Sequence, residues 1–379
     1  MAVANAEVRH FRWNHSDAPN NGNSAGSVYT ILKECLVDGY GSVTLTSLVV
    51  ASGTATATVS GGHGFVATGS TKPVIRIAGA TPSELNADWR IGTITSSTEF
   101  TFVTDTADAT ATGTITAKIA PLGWEEQYSG TNRGMFRSTA VGATGGVLYI
   151  TDQGAGAATV ECYETASGID AGANKWAPVS GTFYAQKGAA TGSYWILAGD
   201  AYSFILITTT AASLTSGYEH LLVFGDYITD PFTATHSFPC VFRSCDESGN
   251  TNTDSTILGS IAFSALARSY TGDIGGISPS LWYGHAFLNT AFGAASTPYP
   301  PLTTNSLLYS PIELWQSLAT GPVGVVPGLF TALHNNLNPT YTNTTFSGDG
   351  AETGHDLFVS RLGGTATRTC LIDITGPWR

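Results

Sequence analysis

Charged side chains are scarce in this sequence. Lys, Arg, Asp and Glu together supply 12% of the 379 residues, against about a quarter in ordinary soluble domains. The surface must therefore be built largely from Thr, Ser, Asn, Gly and Ala, which suits packing against other subunits. The net charge is −12 and the basic residues are scattered singly, so no stripe exists that could neutralise a run of phosphates, and nucleic acid is excluded as the main partner. No apolar stretch approaches 18 residues, which predicts no membrane span. The N-terminal MAVANAEVRHFRWNHSD lacks an apolar signal core, which predicts cytoplasmic synthesis without a secretory leader. Five cysteines (Cys35, Cys162, Cys240, Cys245, Cys370) are an odd, dispersed set, expected to be buried reduced thiols rather than a disulfide framework.

Catalytic signatures are missing as well. The nearest string to a nucleophile elbow, GISPS at 276–280, ends in Ser280 where the sharp turn needs glycine, and no P-loop, dinucleotide-binding glycine motif, H-E-x-x-H or C-x-x-C occurs. Glycan hydrolysis needs two carboxylates across a cleft. The candidates are Glu125 with Glu126, Asp226 with Asp230, and Asp246 with Glu247; side chains adjacent on a strand point to opposite faces, which counts against the two adjacent pairs. Trp282, Tyr283 and Trp315 are aromatic platforms of the kind that stack on sugars, though most tryptophans serve cores or interfaces. In DESGNTNTD, the alternating Asp246, Asn250, Asn252 and Asp254 form a weak calcium candidate without the bidentate glutamate of an EF-hand loop. His63 stands alone in GGHGF and reads as a loop histidine. No catalytic residue and no cofactor is expected.

What the sequence does contain is mostly β patterning. Residues 1–42 read as an arm and one amphipathic helix. The arm carries Phe11 and Trp13 and ends in the turn-rich DAPNNGN of 17–23, so it is expected to lie on something else and to be dispensable for folding. Val28, Ile31, Leu32, Cys35 and Leu36 recur at helical spacing before Gly39 stops the run. That face either packs on its own domain or meets a partner. Residues 43–120 hold Thr/Val-rich runs about every ten residues (SVTLTSLVVA, TATATVS, KPVIRIAG, RIGTITS, EFTFVTD, ATGTITAKIA), which predicts a small all-β sandwich or barrel. Residues 121–379 predict a larger β-rich domain, with a tight hairpin between YWILAGD and YSFILITT at Gly199-Asp200 and a second such device at Gly225-Asp226. From about residue 272 the Gly, Pro, Ser and Asn density predicts a long irregular surface; only DLFVSR and TRTCLIDITGPWR return to strand character, closed by an apolar, docked end at Trp378. The fold class is thus mainly β with one N-terminal helix.

Several segments together resemble a family of virion structural proteins of tailed bacteriophages: KECLVDGYG, SLVVASGTATATVSGGHGF, IRIAGATPSELNADWRI, FTFVTDTADATATGTITAKIAPLGWE, YSGTNRGMFRS, CYETASGID, PGLFTALHN and the terminal LIDITGPWR. The likeness spans nearly the whole chain, and the GWE, YSGTN and DITGPWR segments are its more specific part. It implies a structural subunit located in the virion, with other virion proteins and copies of itself as partners. The tail tip or baseplate is the first expectation and a capsid-decorating or head-vertex position the second. A receptor- or glycan-binding tail module touching the host surface is the third. Phe11, Trp13, Val28, Ile31, Leu32, Leu36 and Trp378 are the expected assembly contacts.

Overall fold

The computed structural model describes residues 7–178, 182–188, 192–210, 219–229, 238–243, 264–268, 274–277, 280–282, 309–317, 321–332, 344–348, 352–362 and 368–379. The chain is mainly β, with 57% strand and 6% helix. No helix among the described residues is long and apolar enough to cross a membrane.

Strands Tyr40–Ala51, Thr54–Val59, Glu99–Val103, Asp88–Ser96, Val74–Ala78 and Thr116–Ile119 pair in that order, and the last returns to the first to close a six-stranded antiparallel barrel. Alternation explains it: in Thr54–Val59 the residues Ala55, Ala57 and Val59 are buried while the threonines between them are not. Closure leaves its six strands without a free edge. Trp89 stacks on Phe102 at 5.1 Å inside. The GGHGF turn delivers Phe65 to this core, where His63 stacks on it at 5.1 Å. The His63 Nδ1 accepts from the Phe65 N–H and its Nε2 donates to the Ser96 carbonyl, both at 2.9 Å, so this histidine is a satisfied turn residue. Because the ladder is closed within residues 40–120, that fragment is expected to express alone and unfold cooperatively; a molten fragment would mean the barrel depends on its neighbours.

A six-stranded sheet runs from Gly172–Ala177 through Ala157–Ala166, Val147–Thr151 and Arg133–Arg137 to Glu125–Gly130, with Phe183–Gln186 pairing the start of Ala157–Ala166. The largest sheet has 14 strands. The predicted hairpin lies in it: Trp195–Gly199 pairs with Ser203–Thr209, and the Asp200 carboxylate accepts the N–H groups of Tyr202 and Ser203, each at 2.8 Å, to shape the turn. The second expected tight turn is not one. Asp226 pairs with Pro239, so residues 227–238 intervene. The strand character expected at DLFVSR and TRTCLID is there, as Asp356–Leu362 and Arg368–Asp373, but the stretch before it expected to be irregular needs correction, since Ile274–Ile277, Ser280–Trp282, Tyr309–Ser317, Gly321–Ala332 and Thr345–Ser347 are strands; residues 283–308 lie outside the described residues. Pro311, Pro322 and Pro327 hid two of these strands. Pro311 and Pro322 pair at or beside register shifts, where a missing N–H is tolerated.

The helix is Ser27–Lys33, continued by a wider π-turn over Glu34–Asp38. Its N-terminal amides of Val28 and Tyr29 donate to one Asp152 carboxylate oxygen at 2.8 and 3.2 Å. Gly39, at φ 74°, ends it, where a side chain would strike the Ile119 carbonyl. One buried cluster runs without a break from Phe100 and Trp89 of the barrel through Val28, Ile31, Leu32 and Leu36 to Leu148, Trp195 and Phe204 of the two sheets.

The N-terminal arm is part of this fold. Strand Arg9–Arg12 pairs antiparallel with Trp195–Gly199 while the Arg9 and Arg90 side chains tie it to the barrel, so it straps two bodies together. His10 and His15 are buried in the strap, and neither ring nitrogen of either has a hydrogen-bond partner. Burial, reinforced by Arg12, pushes His15 down to about 3; burial, then the charges of His15, Arg90 and Arg12, pushes His10 well below its ordinary value. In the unfolded chain both take up protons below about pH 6.5. Their contribution to stability is therefore complete above that pH and is lost as pH falls toward 3, at up to about 1.4 kcal/mol per histidine per pH unit. The melting temperature should drop steeply between pH 6.5 and 4, and His15→Phe should flatten that slope; an unchanged slope would mean His15 is not buried neutral.

Candidate functional site

The residues named as assembly contacts lie inside this chain. Phe11, Val28, Ile31, Leu32 and Leu36 are completely buried in its own core and Trp378 nearly so. Only Trp13 is half-buried, edge-on to Tyr194 at 4.4 Å and covered by the Arg12 guanidinium at 4.5 Å. The helical periodicity is satisfied internally, Phe11 and Trp378 are covered by their own chain as well, and these six are corrected to core residues. Asp246, Asn250, Asn252 and Asp254 lie outside the described residues, as do Asp230, Glu247, Cys245 and Tyr283. The other four cysteines are buried and in no disulfide, and burial raises the Cys35, Cys162 and Cys240 thiols above their ordinary range.

Of the carboxylates considered for glycan cleavage, the three among the described residues are engaged in fold contacts. Glu125 pairs with Arg137; Glu126 accepts from the Tyr29 hydroxyl at 2.7 Å and faces Lys33 at 3.5 Å. Asp226 accepts from the Thr144 amide at 2.9 Å and from its hydroxyl. Burial raises its carboxyl despite the Thr144 hydrogen bonds and Arg379. Trp315 donates to Glu313 at 2.9 Å.

Among the described residues, four charged clusters lie where elements meet. At the barrel, Arg9 reaches Asp88 at 2.7 Å and Arg76 chelates the same carboxylate at 2.7 and 3.0 Å. Burial alone would raise Asp88, but the Arg76 hydrogen bonds and the two guanidinium charges outweigh it and hold it below the ordinary value. At the helix start, Lys187 pairs with Asp152, both side chains 0% exposed, and also donates to the Ser24 carbonyl at 3.0 Å. At the C-terminus, Arg379 meets Asp200 at 3.2 Å and the Ser203 hydroxyl at 3.1 Å, its guanidinium 4.8 Å from the Tyr202 ring centre. Just before it, Trp378 donates to the Asp373 carbonyl at 3.0 Å and packs over Gly328, which sits at φ 65°. A Cβ at Gly328 would run into that indole. Gly328→Ala should cost about 1–3 kcal/mol and redshift the tryptophan emission as the tail lifts; unaltered emission and stability would contradict the docking.

The fourth cluster is Glu352, His355 and Asp373, whose ligating atoms all lie within 4.8 Å of one another. It has the donor set of a metal centre, one imidazole nitrogen and two carboxylates. Sequence reasoning missed it, because Glu352 and His355 sit in a Gly/Thr-rich stretch read as irregular and Asp373 belongs to the next strand. The only local signal was the E-x-x-H spacing. The pairing of Leu357 with Asp373 sets His355 diagonally beside that aspartate. Burial raises the Glu352 carboxyl, a shift that His355 opposes.

No protein-family model matches this chain, and a search of curated proteins likewise finds no match.

Proposed function

We propose that this chain is a structural subunit of a tailed-phage virion, at the tail tip or baseplate or otherwise tail-associated, acting through protein–protein contacts rather than chemistry on a substrate. The observation that carries this reading is the weakly charged surface of a β structure fastened to itself at both ends. Charge is already low at 12%, and among the described residues ten Lys and Arg side chains are ion-paired within the chain. What remains for contact is mainly Thr, Ser, Gly and Ala, with little repulsion and little side-chain entropy to lose on association. The resemblance of the YSGTN and DITGPWR segments to virion proteins supports the same reading.

Cross-linking mass spectrometry on purified particles tests it. The expected result is a reproducible set of cross-links from this chain to other virion proteins and between its own copies. Recovery of the protein only in the soluble fraction of the lysate, with none in banded particles, would overturn it.

A further inference from the structure

We propose that Glu352, His355 and Asp373 bind one divalent transition-metal ion of the zinc class, which fastens the C-terminal tail to the strand pair beneath it. The His355 Nδ1 lies 2.9 Å from Asp373 Oδ2 and 3.2 Å from Glu352 Oε2. Ligands held about 2.0–2.2 Å from a zinc ion are separated from one another by roughly 3 to 3.6 Å; both His355 separations are near that spacing, and the third, within 4.8 Å, closes by rotation of the part-exposed Glu352 side chain. One nitrogen with two carboxylate oxygens is a borderline donor set. It suits Zn2+, Co2+, Ni2+ or Mn2+ better than Ca2+, which takes six to eight oxygens.

The ligands are held in advance. The His355 amide donates to the Glu352 carbonyl at 3.0 Å, closing the turn that puts both side chains on one side. Asp373 Oδ1 accepts the amides of Thr375 at 2.9 Å and Gly376 at 3.0 Å, the latter also 3.2 Å from Oδ2, which orients the carboxylate as an outer shell does in metal centres. Asp373 is 2% exposed, whereas His355 and Glu352 are 19% and 22% exposed, leaving an entry path and room for water to complete the coordination. Two carboxylates facing one imidazole carry excess negative charge that a divalent ion balances.

The position gives the ion a mechanical role. Asp373 holds Trp378 through its carbonyl, and Asp356, the residue after His355 and the first of the paired strand, accepts from the Ser70 and Thr71 hydroxyls of the barrel region, each at 2.6 Å. The ion would thus secure the junction of tail, hairpin and barrel, with binding free energy appearing as stability.

The test is calorimetric titration of the chelator-treated full chain with ZnCl2, and with CaCl2 for comparison, in the wild type, His355→Ala and Glu352→Gln. The expected result is one Zn2+ per chain, weaker Ca2+ binding, a raised melting temperature with Zn2+, and affinity reduced at least about ten-fold in both variants. Absence of saturable Zn2+ binding by the wild type, or wild-type affinity in either variant, would overturn the proposal. Should a variant fail to fold, the Co2+-loaded wild type decides: a spectrum of nitrogen and oxygen coordination supports the site, and a thiolate charge-transfer band places the metal on cysteine and refutes it.

Discussion

A chain lacking residues 1–23 is expected to lose its cooperative melting transition altogether. The loss combines several large terms. Removing a buried phenylalanine such as Phe11 costs about 3–5 kcal/mol, and the deletion also strips Arg9 from Asp88 and exposes the strand edge of Trp195–Gly199. The side chain of Asn21 bonds the Thr209 carbonyl at 3.1 Å and the Gly188 amide at 3.0 Å, and the Pro19 carbonyl accepts from the Trp195 indole at 2.7 Å. Together these approach the whole stability of a typical domain, about 5–15 kcal/mol. Near-UV circular dichroism during thermal melting is the check. A truncated chain with an unchanged transition would return the segment to the role of an assembly arm, the role its composition first suggested.

Lys187→Met is expected to destabilise the protein by about 3–5 kcal/mol, the usual consequence of leaving one buried charge without its partner. The Asp152 carboxylate would stay inside, still accepting from Val28 and Tyr29, but with no cation to balance it. Adding Asp152→Asn to the same chain should recover most of the loss, since an amide oxygen can still accept from the helix amides and carries no charge. Denaturant melts of the two singles and the double form the cycle that measures this. Strict additivity would show that the pair is not coupled.

The barrel was legible because its strands alternate cleanly and its turns carry Gly and Pro, as TATATV, VIRIA and EFTFV illustrate. The helix was legible for the same reason of period, although its change to a π-turn after Lys33 was not. The strap was misread because it is buried on both faces: in RHFR the charged Arg9 and the polar His10 are buried along with Phe11, and a rule that sends charge outward places such a segment on the surface. Arg9 goes inward because Asp88, 79 residues away, and the Pro121 carbonyl are there to meet it. The strands between Ile274 and Ser347 were hidden by proline and glycine, which the register shifts accommodate. Glu352, His355 and Asp373 were illegible as a group because strand register, a tertiary property, brings them together. Val28, Ile31, Leu32 and Leu36 were mistaken for contacts for one cause: a helical apolar face looks the same whether it is covered by its own chain or by another.

Copy number per particle, measured by quantitative mass spectrometry of purified virions, tests the central claim most directly. The account predicts a fixed, small number of copies, as in a ring at the tail. A count near that of the major shell protein would instead make the chain a capsid-decorating subunit, and its absence from purified particles would contradict a structural role in the virion.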